Sequence, residues 1–203
     1  NKYKSIEFRD NKQDYTRILA KMEQNLTNDS QRTKSGKLTG AVYCDNSQII
    51  YIAGEAAKMF SYSNLLHPDL FTYARFIESE LVKICLDLFN GKEDSCGLTT
   101  SVWTISIIQV IYVYVKRGKS LGIKKPELII PVSAHAAFFK ACEMFKIKLI
   151  KIPLNLKTYQ VDLSKLTKAI NKNTICIVGS FPNFCHTNYD DIESLSKIAI
   201  KYN

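Results

Sequence analysis

Few residues of this chain are equipped for chemistry. They are three histidines, His67, His135 and His186, and several short hydroxyl-rich passages. His135 closes Ser133-Ala134-His135, which follows the apolar run Leu128-Ile129-Ile130-Pro131-Val132 and opens a run of helical periodicity. A second apolar run ends in Val178-Gly179-Ser180-Phe181, and Leu98-Thr99-Thr100-Ser101 leads to Thr104 at the head of a long apolar stretch. An imidazole at a strand end can stack on, protonate or orient a ligand. Hydroxyls beside a helix N-terminus, whose first amide groups have no partner inside the helix, suit a phosphate. This pattern points to a phosphate-bearing ligand held at one edge of a sheet.

The elements that must position these residues follow from periodicity. From residue 127 onward the chain alternates: strand 127–132, helix 134–145, strand 148–153, helix 163–171, strand 174–179, helix 190–202. Such alternation predicts an α/β fold with parallel strands and helices on both faces, and it places His135 and Ser180 on the same sheet edge. Upstream, the spacing of Ile18, Leu19 and Met22 predicts a short helix over 15–22, and the polar composition of 27–37 predicts a linker. A helix is expected over 54–62. Another holds Phe71, Ala74, Ile77, Leu81, Ile84, Cys85 and Leu88 at three-to-four spacing and stops at Asn90-Gly91. The run from Ile105 to Val115 has strong β-propensity but is read as a helix on its length. The expected organisation is a polar arm and linker over 1–39, a helical segment over 40–96, and an α/β domain over 97–203.

The 203 residues suffice for one domain with an arm, and the net charge is +9, mostly from lysine. The basic residues form no arginine-rich run interleaved with aromatics, so no nucleic-acid partner is expected. Attraction to anionic membrane surfaces or phosphorylated substrates fits the charge equally well. The six cysteines form no CxxC pair and no histidine-linked metal pattern, so they are read as free thiols in a reducing compartment and no metal is expected. No apolar run approaches the ~20 residues of a membrane span. The segment is therefore expected to be soluble and cytosolic, with any membrane anchor encoded upstream.

The ordered stretches Gly40-Ala41-Val42-Tyr43, Ser63-Asn64-Leu65-Leu66-His67-Pro68-Asp69-Leu70-Phe71, Leu88-Phe89-Asn90-Gly91-Lys92-Glu93-Asp94-Ser95-Cys96-Gly97, Ser133-Ala134-His135-Ala136-Ala137-Phe138 and Phe181-Pro182-Asn183-Phe184-Cys185-His186 resemble the sphingosine-1-phosphate lyase family. These are pyridoxal-phosphate enzymes related to amino-acid decarboxylases. The resemblance implies a type I pyridoxal-phosphate-dependent transferase-like fold, with 97–203 as the first part of its cofactor-binding large domain and pyridoxal 5'-phosphate as cofactor. It also implies cleavage of a phosphorylated sphingoid base to a long-chain aldehyde and phosphoethanolamine, a homodimer, and a place at the endoplasmic reticulum membrane facing the cytosol.

By the same resemblance His135 stacks on the cofactor ring, Thr104 meets its phosphate and Ser180 lies beside it. Tyr43, Asn64 and His67 meet the phosphate or headgroup of the substrate. Each has an ordinary role open to it: Tyr43 in the core, Asn64 and His67 in a capped turn before Pro68, Thr104 as a helix cap, Ser180 as a turn hydroxyl. The family's Schiff-base lysine and the aspartate that pairs with the pyridine nitrogen are expected beyond Asn203, so no catalytic residue is assigned here.

One passage departs from the family. Where it has Gly-Gly-Thr-Glu-Ser, this chain has Val102-Trp103-Thr104-Ile105-Ser106. Glycine permits positive φ and close approach of backbone to phosphate, so valine and tryptophan are expected to weaken or alter cofactor binding. That departure keeps a catalytically silent relative, acting as an interaction or regulatory protein, as an alternative. An amino-acid decarboxylase of the same cofactor class is a second. A basic nucleic-acid binder is a third, which strong salt-dependent binding to mixed-sequence nucleic acid would mark.

Overall fold

A computed structural model describes residues 15–38, 44–183 and 185–202, with two compact units, Asn1–Arg75 and Phe76–Asn203.

In the first unit, helix α1 spans Tyr15–Thr33 and α2 spans Ser47–Met59. The helix α1 runs on through residues whose composition predicts a linker. Its polar side chains make this tolerable by bonding back onto the preceding turn: Asn25 Nδ2 donates to the Lys21 carbonyl at 2.7 Å and Thr27 Oγ1 to that of Glu23 at 3.0 Å. Helix α2 begins upstream of the expected 54–62 because Asn46 caps it, its Oδ1 accepting from the Gln48 amide at 2.9 Å and the Ile49 amide at 3.3 Å.

Helix α3, Thr72–Leu88, keeps the expected apolar spacing and stops at the expected place. Asn90 takes the left-handed conformation with φ 54°, and the Gly91 amide bonds back to the Leu86 carbonyl at 2.7 Å. The apolar run after Val102 is helical: α4 spans Trp103–Ser120 and buries Ile108, Ile111 and Val115.

The alternation that follows is realised as β1 (Glu127–Pro131), α5 (Ala136–Phe145), β2 (Lys148–Ile152), α6 (Leu163–Ala169), β3 (Thr174–Ile177) and α7 (Ile192–Tyr202). The strands form a parallel sheet in the order β2-β1-β3. The central strand β1 is buried throughout, as its uninterrupted apolar run requires. One face of the sheet carries Leu128 and Ile130 against Ile108, Ile111 and Val115 of α4 and Ala141 and Cys142 of α5. On the other, Ile129 packs with Leu166 of α6 and Leu195 of α7. The second unit is thus helix, sheet and helix in layers.

All six cysteines are free, and burial pushes the thiols of Cys142 and Cys176 up to about 11 and about 12, which leaves them unreactive packing groups. Among the described residues no helix is long and apolar enough to cross a membrane.

At the start of β1 a buried carboxylate, Glu127, accepts from Lys148 Nζ and Asn171 Nδ2, both at 2.8 Å. The Lys148 bond, then the Asn171 bond, holds its pKa below the usual 4.5. A lowered folded pKa adds stability above the unfolded value and loses it as pH falls through the folded one. The melting temperature should therefore drop as pH falls below 4.5, and Glu127→Gln should flatten that part of the curve. Parallel curves for the two proteins would show that the contact carries no linkage.

Candidate functional site

The carboxyl edge of the sheet brings three of the expected residues to one end of the second unit. The chain leaving β1 turns to α5 on one face, whereas the chains leaving β2 and β3 turn to α6 and α7 on the other. Neighbouring strands whose connections part in this way leave a crevice at their carboxyl ends. His135 stands on one side of it, after β1, and Ser180 on the other, after β3. Helix α4 joins them because it runs antiparallel to the strands. Gly118 near its C-terminus packs on Ile175 at the start of β3, a Cβ there falling 2.7 Å from Ile175 Cγ2. Its N-terminus, with Thr104, accordingly lies at the edge where the strands end.

His135 is the N-cap of α5, its Nδ1 accepting from the Ala137 amide at 3.1 Å. In the neutral ring the proton then sits on Nε2, which points a donor away from the helix. The ring is exposed. Thr104 is half-buried in the first turn of α4, a turn with no acidic residue and no side-chain cap. The hydroxyl-rich passage before it is lashed to that turn by a hydrogen bond between the hydroxyls of Thr100 and Ser106. Ser180 is half-buried, its amide donating to Asp190 Oδ2 at 2.8 Å.

The substrate candidates lie elsewhere in the chain. Asn64 and His67 belong to the first unit and are exposed. They form the capped turn: Asn64 Oδ1 accepts from the Leu66 amide at 3.0 Å and the Asn64 carbonyl from the His67 amide at 3.0 Å. Tyr43 is outside the described residues.

The backbone corrects one expectation. Val102 has φ −155° and ψ 156°, an extended conformation open to any residue, so the loss of glycine strains nothing at that position. Bulk remains: Val102 and Trp103, 56 % and 75 % exposed, stand in solvent at the mouth of α4.

Two buried polar atoms at this edge find no partner among the described residues, Ser133 Oγ and Asn183 Nδ2. Sequence reasoning named neither as a site residue, since nothing in a Ser or Asn signals that its partner is missing. An unsatisfied buried polar group costs about 1–3 kcal/mol, which a ligand's polar atom would relieve. The Ser133 hydroxyl lies beside His135 at the end of β1. An aromatic ring and a phosphate therefore fit the donor set: the first amides of α4 and Thr104 for the anion, the His135 ring for the heterocycle, and the unpartnered Ser133 hydroxyl two residues before His135.

The loop after β3 holds Thr187 at φ 53°, a conformation costly for a β-branched residue. Thr187→Gly should raise stability by about 0.5–1 kcal/mol, less the entropy that glycine adds to the unfolded chain. Chemical denaturation measures it, and a loss of stability would show that the threonine is not strained.

No protein-family model matches the chain. It is 46 % identical over 173 residues to a sphingosine-1-phosphate lyase of Saccharomyces cerevisiae, covering 83 % of this chain and 29 % of that protein. In structure it is similar to a sphingosine-1-phosphate lyase of Burkholderia pseudomallei, with TM-score 0.92 and 29 % identity, covering 98 % of this chain and 47 % of that one. The segment belongs to the sphingosine-1-phosphate lyase family. It spans under a third of the length of the yeast lyase and about half that of the bacterial structure. A glutamate decarboxylase of Lactobacillus brevis, 17 % identical with TM-score 0.71, shares the fold alone. The sphingosine-1-phosphate lyase relatives and this decarboxylase agree with the type I fold expected from the motifs.

Proposed function

We propose that the intact protein carrying this segment is a pyridoxal-phosphate-dependent lyase that cleaves phosphorylated long-chain bases to a fatty aldehyde and phosphoethanolamine. The observation that carries the reading is the 46 % identity to the yeast lyase over most of the chain. Pyridoxal phosphate, when bound, supplies the electron sink that makes carbon–carbon cleavage accessible. Thr104 and the first amides of α4 would hold the phosphate, His135 would offer its ring face to the heterocycle, and Ser180 would line the other side of the crevice. Tyr43, Asn64 and His67 receive the phosphate of the substrate. The protein works as a homodimer at the cytosolic face of the endoplasmic reticulum, where its surplus of lysines favours approach to an anionic headgroup. Residues 1–39 act as an arm, 40–96 as a helical segment, and 97–203 as the first part of the cofactor-binding domain.

Incubating the intact protein with pyridoxal phosphate and a phosphorylated sphingoid base should release aldehyde. Release of carbon dioxide from amino acids instead would favour a decarboxylase. The bulk at Val102 and Trp103 supports a second reading, a silent relative. Under that reading the purified protein would show neither product nor a cofactor absorbance band.

A further inference from the structure

The loops that leave β2 and β3 meet across the end of β1, and a carboxylate joins them. After β2 the chain turns back through the bridge between Leu154 and Val161. After β3 it runs on to Asp190, which is 2 % exposed. Asp190 Oδ1 accepts from the Val161 amide and Oδ2 from the Ser180 amide, both at 2.8 Å, while the Asp190 amide donates to the Ser180 carbonyl at 2.9 Å. Beside it Gln160 Nε2 donates to the Tyr189 carbonyl at 2.8 Å, and the Asn188 amide group donates to the Thr158 carbonyl. Tyr159 stacks on His186 with ring centres 4.8 Å apart.

No cation pairs with Asp190 among the described residues. Both of its oxygens are spent on backbone amides, one from each loop. Burying a charge is costly unless hydrogen bonds compensate, so a carboxylate kept here serves to fix those two amides. The preceding residue, Gly179, restricts Ser180 further: a Cβ on it would stand 2.4 Å from Leu195 Cδ1.

We propose that this junction, centred on Asp190 with Gln160 beside it, positions Ser180 for the cofactor, which makes Asp190 a positioning residue of the site and not scaffold alone. The inference rests on the reading of Ser180 as cofactor-binding.

The test titrates the intact protein, freed of cofactor, with pyridoxal phosphate and follows absorbance and tryptophan fluorescence. Asp190→Asn cannot accept from both amides, and its dissociation constant should rise about tenfold or more, the effect of losing a charge-assisted bond. In a Ser180→Ala background the same substitution should cost much less, because both changes then act through one hydroxyl. Unchanged affinity in Asp190→Asn, or effects of the two substitutions that simply multiply, would overturn the proposal. If Asp190→Asn does not fold, Gln160→Ala, at a side chain that is only half-buried, should still weaken binding about threefold, and no change would overturn it equally. Binding by the wild type with no loss in the variants removes the positioning role and leaves the site reading standing. No binding by the wild type removes both.

Discussion

Replacing Val102 and Trp103 together with glycine should tighten binding of pyridoxal phosphate to the intact protein about tenfold, or ~1.4 kcal/mol. The reason lies in space and not in torsion. The backbone at Val102 is already extended, so glycine relieves no strain there. The isopropyl and indole groups, however, stand exposed at the end of α4 whose free amides an anion must approach. Folding should change little. Glycine is a better N-cap than valine, which offsets part of the helix propensity lost at position 103, and an exposed indole gives up little buried area. The measurement is a cofactor titration beside a denaturation curve. Equal affinity in the two proteins would show that the bulk does not obstruct the phosphate, and a large loss of stability would show that Trp103 packs in a way its exposure does not suggest.

The second unit was legible because its signals reinforce one another. The run Leu128–Val132 is apolar without interruption, as a central parallel strand must be, and the strands at 148 and 174 recur between helical periods. The α4 run was the hard case, since its β-branched residues favour a strand. Burial of Ile108, Ile111 and Val115 at helical spacing against the sheet outweighs that propensity.

Within the arm, the first half of the stretch read as a linker over 27–37 is helical, because α1 runs to Thr33, and the reason is physical. Asn and Thr are poor helix formers when their side chains compete for the backbone, yet here Asn25 and Thr27 bond to carbonyls of the turn before them and leave the helix intact. At the site, His135 and Ser180 could be placed from strand ends alone. The role of Asp190 could not. It is adjacent to Asp191, and only the fold shows that Asp191 caps α7 through the Ser194 amide at 3.0 Å while Asp190 turns inward to hold two loops. Two neighbouring aspartates of identical chemistry carry no mark of which is buried.

His135 does two jobs that substitution can separate. Its Nδ1 caps α5, and its exposed ring is the surface offered to the cofactor. His135→Ala removes both. It should cost about 1 kcal/mol of stability from the lost cap and weaken cofactor binding about three- to tenfold from the lost ring contact. Asparagine is a good cap but has no aromatic face, so His135→Asn should keep wild-type stability and show the same loss of affinity. His135→Phe should do the reverse, holding the cofactor better than alanine does while losing the cap. Denaturation and cofactor titration on the three variants fill in the scheme. If His135→Asn binds as tightly as wild type, the imidazole is a cap and nothing more, and the assignment of the ring face to the cofactor falls with it.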